Sequence, residues 1–191
     1  MTGSKWGWTM TSYLRAVAAG ASLLALAGAS AAEAATQGSL GATSTGTLSV
    51  SVSVPGRVQL SGLTDVAFTN QDPSVAALNA QNVCVWSNTG TRGYNIDASG
   101  SGSAGAFMLA NGGLTVPYSV EWAATSGASS GTALTPGTAL TGLTSTATNA
   151  SCSSGPASTA SLIVRISSAN LQTMQAATSY TGSLTLVVAP E

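Results

Sequence analysis

The sequence predicts an all-β fold built as an antiparallel sandwich. About seven or eight short segments alternate apolar and polar side chains, as half-buried strands do, and turn-forming Gly, Pro and Asn residues separate them. No long segment repeats its apolar residues at the helical period, and we find no internal repeat. Strands of this kind are typical of an immunoglobulin-like β-sandwich, and one such domain with an N-terminal arm accounts for the pattern.

Residues 1–34 predict an export signal. Lys5 and Arg15 supply positive charge, the run AVAAGASLLALAGA forms an apolar core, and the small residues Ala32 and Ala34 offer two cleavage sites. A membrane anchor is the alternative, but a core of about 14 residues is shorter than the roughly 20 that span a bilayer. We therefore expect cleavage after Ala32 or Ala34, and a mature chain that has no membrane span.

Charge is scarce in the chain that follows this signal. The charged side chains are Arg57, Arg92, Arg165, Asp65, Asp72, Asp97, Glu121 and Glu191. They include no basic cluster, so neither nucleic acid nor an anionic lipid surface is an expected partner. The chain instead carries many small polar residues, which keep a weakly charged protein in solution.

Two cysteines, Cys84 and Cys152, predict a disulfide, because an exported chain reaches an oxidising compartment. Closing a loop of about 69 residues would stabilise the fold by roughly 4 kcal/mol. The alternative is a metal-binding or nucleophilic thiol. The chain contains no histidine to share a metal or to activate a thiol, which disfavours that alternative.

The first strand is predicted at residues 47–54, after a leader of small residues at 35–46 that cannot fold alone. Its apolar face comprises Leu48, Val50, Val52 and Val54, and its polar face comprises Ser49, Ser51 and Ser53. Pro55 and Gly56 then break the alternation, so the segment RVQLSGL is a separate strand.

The middle of the chain predicts a loop with a short helical turn at 64–80, followed by several strands. NVCVWSN places Val83 and Val85 opposite Cys84 and Trp86, and AFML precedes an NGG turn. Two further faces are predicted from the alternation: Tyr94, Ile96 and Ala98 in GYNIDASGSGS, and Val116, Tyr118, Val120 and Trp122 in TVPYSVEWAA. Pro117 lies within the second segment and marks an edge strand or a strand start.

The last third of the chain divides into four segments. Residues 125–160 hold one or two short strands, and SANLQTMQAATS forms a brief helix or an ordered loop. SLIVRIS directs Leu162, Val164 and Ile166 inward. The terminal strand, YTGSLTLVVAPE, places Tyr180, Leu184, Leu186 and Val188 on one face.

The residues that carry chemistry form no catalytic pattern. Without histidine, Ser-His-Asp and Cys-His catalysis and most zinc sites are excluded. A glycosidase would need a carboxylate pair such as Asp97 and Glu121, which nothing in the sequence brings together. Trp86 and Trp122 are either buried or form a platform for stacking sugars. We expect no enzyme, no cofactor and no metal.

Several segments together resemble the major subunits of chaperone–usher pili, of the CS1 type or of the archaic, spore coat U-like type. They are the export signal, the alternating strand that leads into VPGRVQL, the segments CVWSN and LTVPYSVEW, and the terminal ATSYTGSLTLVVAPE. The resemblance implies an incomplete immunoglobulin-like domain with a hydrophobic groove in place of its last strand. A periplasmic chaperone fills that groove first, an outer-membrane usher assembles the fibre, and the N-terminal extension of the next subunit completes each domain by donor-strand exchange.

On this resemblance, residues 35–54 are a leader and donor strand, and residues 55–191 are the pilin domain. The donor residues are Gly46, Leu48, Val50, Val52 and Val54, and they fill a groove in an identical subunit. The protein then passes through the periplasm to the cell surface and supports adhesion or biofilm formation as part of a fimbria. In the alternative, residues 47–54 complete their own sandwich, and the protein is a self-contained secreted module that coats a surface or binds carbohydrate.

Overall fold

The computed structural model describes residues 34–191. The predicted export signal, apart from its last residue, therefore lies outside the described residues. The chain divides into two units, Met1–Val52 and Ser53–Glu191. Within the described part, no helix has the length and apolar character needed to cross a membrane.

The described part of the first unit contains a single isolated antiparallel bridge, between Thr36 and Thr47. The two residues exchange backbone hydrogen bonds of 2.8 and 2.9 Å, so the leader folds back on itself at this point. Leu48, Val50 and Val52 are 72 %, 87 % and 90 % exposed. In the single chain, residues 48–54 belong to no strand, so the strand predicted at 47–54 stays a prediction.

Ten antiparallel strands make up the second unit. Their bounds are β1 (Val58–Ser61), β2 (Ala77–Ser87), β3 (Gly93–Gly100), β4 (Met108–Asn111), β5 (Leu114–Pro117), β6 (Ser119–Ala123), β7 (Thr132–Ala133), β8 (Leu140–Thr144), β9 (Ala160–Ile166) and β10 (Leu184–Pro190). A five-stranded sheet has the order β1-β2-β9-β6-β7, a three-stranded sheet has the order β10-β3-β8, and β4 pairs with β5. The only helices of this unit are a 3₁₀ turn at Ser103–Gly105 and α1 (Ser168–Leu171). The predicted all-β antiparallel sandwich is confirmed.

The core lies between the two sheets, and two aromatic residues connect them. Trp122 of β6 and Tyr94 of β3 are each 1 % exposed, and their rings meet edge to face with centroids 6.5 Å apart. The indole Nε1–H of Trp122 donates a hydrogen bond of 3.1 Å to the Tyr94 hydroxyl oxygen. Burial raises the pKa of Tyr94, so the hydroxyl stays neutral. The indole N–H and the hydroxyl oxygen are therefore hydrogen-bonded to each other, as buried polar groups need to be.

Two predicted elements differ from the structure. The prediction of a loop with a helical turn at 64–80 is wrong for residues 77–80, because β2 already begins at Ala77 and pairs there with Ile166 of β9. The segment TVPYSVEWAA forms two strands rather than one, since Pro117 ends β5 and Ser119 begins β6.

Strand β9 is buried on both faces, although SLIVRIS predicts only one inward face. Ile163, on the outer face, is 0 % exposed. Residues 125–131 cross that face and are held there by hydrogen bonds, among them one of 3.1 Å from the Ala128 amide to Ser161 Oγ and one from the Arg165 guanidinium to the Ser129 carbonyl. The covering segment therefore explains why an outward apolar side chain is tolerated.

The predicted disulfide between Cys84 and Cys152 is present. It lies on the outer face of the five-stranded sheet, where both sulfur-bearing residues are buried together with Ala147 and against Trp86. The bond ties the loop between β8 and β9 to the centre of the domain.

We expect the Cys84→Ser/Cys152→Ser variant to lose roughly 4 kcal/mol of unfolding free energy, because the open loop gains entropy in the unfolded chain. Chemical denaturation of the exported protein measures this loss, and the wild type with reductant should match the variant. Ser153→Ala, in the same loop, is the control. A free thiol in the exported wild type would contradict the prediction.

Candidate partner-binding groove

Strand β10 is an edge strand of the three-stranded sheet. Of the strands formed by residues 34–191, only β3 pairs with it. Its side chains alternate as predicted: Leu184, Leu186 and Val188 are half-buried against the core, whereas Thr185 and Val187 are exposed. The inner face of β10 is therefore apolar up to an open edge.

The unpaired backbone groups of β10 belong to the same residues that face inward. The Glu191 amide donates a hydrogen bond of 3.1 Å to the Gly93 carbonyl, which makes this pair a hydrogen-bonded one. Because bonded and non-bonded pairs alternate in an antiparallel ladder, the N–H and C=O groups of Leu184, Leu186 and Val188 point away from β3. Pro190 lacks an N–H, which suits an edge position and ends this row of donors.

A groove of about 1300 Å³ opens along this edge, between the two sheets. Leu162, Val164 and Ile166 of β9 line one side, and Leu184 and Leu186 of β10 line the other. The sequence predicts all five of these as inward side chains. On the groove side, no strand formed by residues 34–191 pairs with β10.

The first lip of the groove is formed by residues 62–76, between β1 and β2. Gly62 has a φ of 84°, a conformation that favours glycine, and turns the chain away from β2 at the end of β1. Beyond it, Val66 and Phe68 pack against the core without belonging to a strand. This lip therefore depends on side-chain contacts for its position.

The second lip is formed by residues 172–183, between α1 and β10. Thr181 exchanges backbone hydrogen bonds of 2.9 and 2.8 Å with Ala110 of β4. The hydroxyl oxygen of Tyr180 accepts a hydrogen bond of 3.1 Å from the Gln175 amide, which closes a small loop. Tyr118 donates to the Ser183 carbonyl at 3.3 Å, and burial raises the pKa of this tyrosine, which keeps the donor proton in place. Tyr180 thus lies in this lip rather than in the terminal strand.

The leader and donor segment, residues 35–54, is the N-terminal arm of the chain. Asn88, directly after β2, fixes the point at which this arm joins the domain. Its Nδ2 donates a hydrogen bond of 2.9 Å to the Pro55 carbonyl, and its Oδ1 accepts one from the Arg57 amide. A Cβ atom at Gly56 would lie 3.3 Å from Pro190 Cγ, so the arm begins beside the last residue of β10. The predicted break at Pro55 and Gly56 marks this attachment point.

The predicted donor residues lie before this point. Val54 is 72 % exposed, and Gly46, Leu48, Val50 and Val52 belong to the first unit, where no strand contains them. Their role in binding a partner stays a prediction. Sequence reasoning missed Asn88 and the lip residues, because a polar side chain at a strand end gives no sign of which distant segment it binds.

The side chains considered for chemistry are not brought together. Asp97 and Glu121 lie on the outer faces of different sheets, and Glu121 Oε1 is instead 3.0 Å from Arg165 Nε. Trp122 is buried and cannot stack a sugar, whereas Trp86 is half-buried beside the disulfide. Within residues 34–191, no three His, Cys, Asp or Glu side chains are grouped so that they could hold a metal ion.

No family model matches the chain, and no curated protein is significantly similar to it. Among solved structures, it is similar to a chain from the work "Chaperone-tip adhesin complex is vital for synergistic activation of CFA/I fimbriae biogenesis", with 16 % sequence identity and a TM-score of 0.45. The match covers 71 % of this chain and 41 % of the solved chain. Similarity at this level assigns neither a family nor an activity.

We expect Asn88→Ala to release the attachment point of the arm. Loss of both side-chain hydrogen bonds should raise the hydrogen-exchange rate of the Arg57 amide about tenfold or more, since that amide loses its acceptor. Asn88→Asp keeps the acceptor and should have a smaller effect, and Gln71→Ala serves as a distant control. An unchanged Arg57 exchange rate in Asn88→Ala would show that Asn88 does not fix this segment.

Proposed function

We propose that this protein is a structural subunit of a surface fibre, in which residues 46–54 of one copy fill the groove of the next. The observation that supports this most is the open edge of β10. There, Leu184, Leu186 and Val188 offer both unpaired backbone groups and apolar side chains to a strand that the described domain lacks. The strand that fills this groove is then the arm of a second copy.

The arm has the pattern that such an edge requires. Directly opposed residues of two paired antiparallel strands point to the same face of a sheet. Leu48, Val50 and Val52 therefore match the three inward positions of β10 at the same spacing of two residues. Each is largely exposed in the free chain, and burying such a side chain contributes roughly 1.5–3 kcal/mol. Ser49 and Ser51 would face outward.

The position of the attachment point supports a fibre rather than a closed dimer. If the donor runs antiparallel to β10, its Val54 end lies beside Leu184 of the acceptor. The acceptor's own arm begins beside Pro190, at the opposite end of a strand about 20 Å long. Donor and acceptor surfaces thus differ and lie at opposite ends, and contacts of this heterologous kind propagate without closing.

This assembly also accounts for the partners that the resemblance implies. A copy without a donor exposes an apolar groove and an open strand edge, which are both hazards for aggregation. A periplasmic chaperone that adds a strand to β10 would protect the subunit until an outer-membrane usher exchanges it for an arm. The fibre would then serve adhesion or biofilm formation at the cell surface.

Changing the donor should abolish polymers. Val50→Asp/Val52→Asp places two carboxylates where the proposal buries side chains, so we expect folded monomers on size-exclusion chromatography. Their melting temperature should lie below that of the wild-type polymer, because the domain loses the stabilisation that a bound donor gives. Ser49→Asp/Ser51→Asp, with equal charge on the other face, should still polymerise. Unfolding of the domain in the first variant would instead indicate that the arm completes its own sandwich.

A change in the groove that accepts the arm should also abolish polymers. We expect Leu186→Asp to weaken arm binding about 100-fold or more, because the groove would bury an unpaired charge. Val187→Asp, at the neighbouring 57 % exposed position, is the matched control. A mixture of Leu186→Asp with the donor-deficient variant should give dimers only. Long polymers from Leu186→Asp alone would contradict the proposal.

A further inference from the structure

We propose that Gln81 is a positioning residue that holds the first lip of the groove open for the incoming strand. This inference rests on the proposed function. It concerns a side chain of β2 that lines the groove and that binds the lip rather than the core.

The Gln81 amide makes the contacts that a neighbouring strand would make. Its Oε1 accepts hydrogen bonds of 2.8 Å from the Thr64 amide and of 3.1 Å from Thr64 Oγ1, and its Nε2 donates one of 3.2 Å to the Thr64 carbonyl. Both backbone groups of Thr64 are thus occupied by a single side chain. A glutamine amide can do this because it carries an acceptor and a donor side by side.

The lip needs such a contact because regular pairing ends just before it. The ladder between β1 and β2 stops at the pair Ser61 and Cys84, and Gly62 then turns the chain away. Thr64 lies two residues beyond, and its backbone makes no hydrogen bond to the backbone of β2. Gln81 spans this gap with its side chain and keeps Thr64 tied to the five-stranded sheet.

The contact between Gln81 and Thr64 matters because the unpaired edge of β10 lies across the groove. Unpaired N–H and C=O groups of β10 face the groove and attract any free backbone. If Thr64 were released, residues 62–70 could move towards that edge and occupy the place of the donor. Gln81 therefore preorganises the groove, and its loss should slow association more than it speeds dissociation.

The test uses a synthetic peptide of residues 44–54 as the probe and the full chain carrying Val50→Asp/Val52→Asp as the monomeric receptor. We expect Gln81→Ala to lower the association rate constant of the peptide about tenfold, with the dissociation rate constant changed by less than about twofold. Gln59→Ala should leave both unchanged, because Gln59 is an exposed residue of β1 that does not line the groove.

Gln81→Glu separates this role from general stabilisation. A carboxylate can accept from the Thr64 amide but cannot donate to the Thr64 carbonyl, so the variant should associate slowly at pH 7. Below the ordinary glutamate pKa of about 4.3, the protonated side chain regains a donor, and the rate should recover relative to the receptor without this change. The Thr64 amide should also exchange hydrogen faster in Gln81→Ala.

The outcomes distinguish the two proposals. Peptide binding with the same association rate in Gln81→Ala would overturn the role of Gln81 and leave the fibre intact. Failure of the peptide to bind the receptor at all would overturn the proposed function, and this inference with it. Unchanged exchange at Thr64 would also contradict the role of Gln81.

Discussion

The unpaired edge of β10 is the constraint on which the rest of the structure depends. Water can satisfy exposed N–H and C=O groups, but it cannot satisfy the apolar side chains of Leu184, Leu186 and Val188 on the same residues. In the proposed fibre, a donor strand supplies this edge with hydrogen bonds and apolar contacts together. The two lips and the attachment point of the arm are all arranged along it.

The domain tolerates this open edge because its rigid contacts lie elsewhere. The hydrogen bond between Trp122 and Tyr94 joins the sheets on their inner faces, and the disulfide and the covering segment 125–131 hold the outer face of the larger sheet. These contacts involve β2, β3, β6 and β9, whereas β10 is hydrogen-bonded to a neighbouring strand on one side only. The stabilising contacts and the proposed binding edge thus lie in different parts of the sandwich.

Period-two alternation made much of the fold predictable, including the inward residues of β3, β9 and β10 that line the core and the groove. It failed at Ala77–Ala80, whose composition favours a helix but whose backbone pairs with β9. Residues 48–54 form no strand in the single chain, and their pairing stays a prediction, because alternation describes a strand that still needs a partner. Gln81 and Asn88 could not be predicted, since their partners lie 17 and 31 residues away and only the fold brings them close.

The location of Gly56 beside Pro190 has a mechanical consequence. In a fibre assembled as proposed, tension would reach each acceptor at the Pro190 end of β10 and each donor at its Val54 end, beside Leu184. The two strands would be pulled in opposite directions along their length. All hydrogen bonds of the joint would then share the load in shear instead of opening one after another, which is the arrangement in which a short β-ladder resists the greatest force.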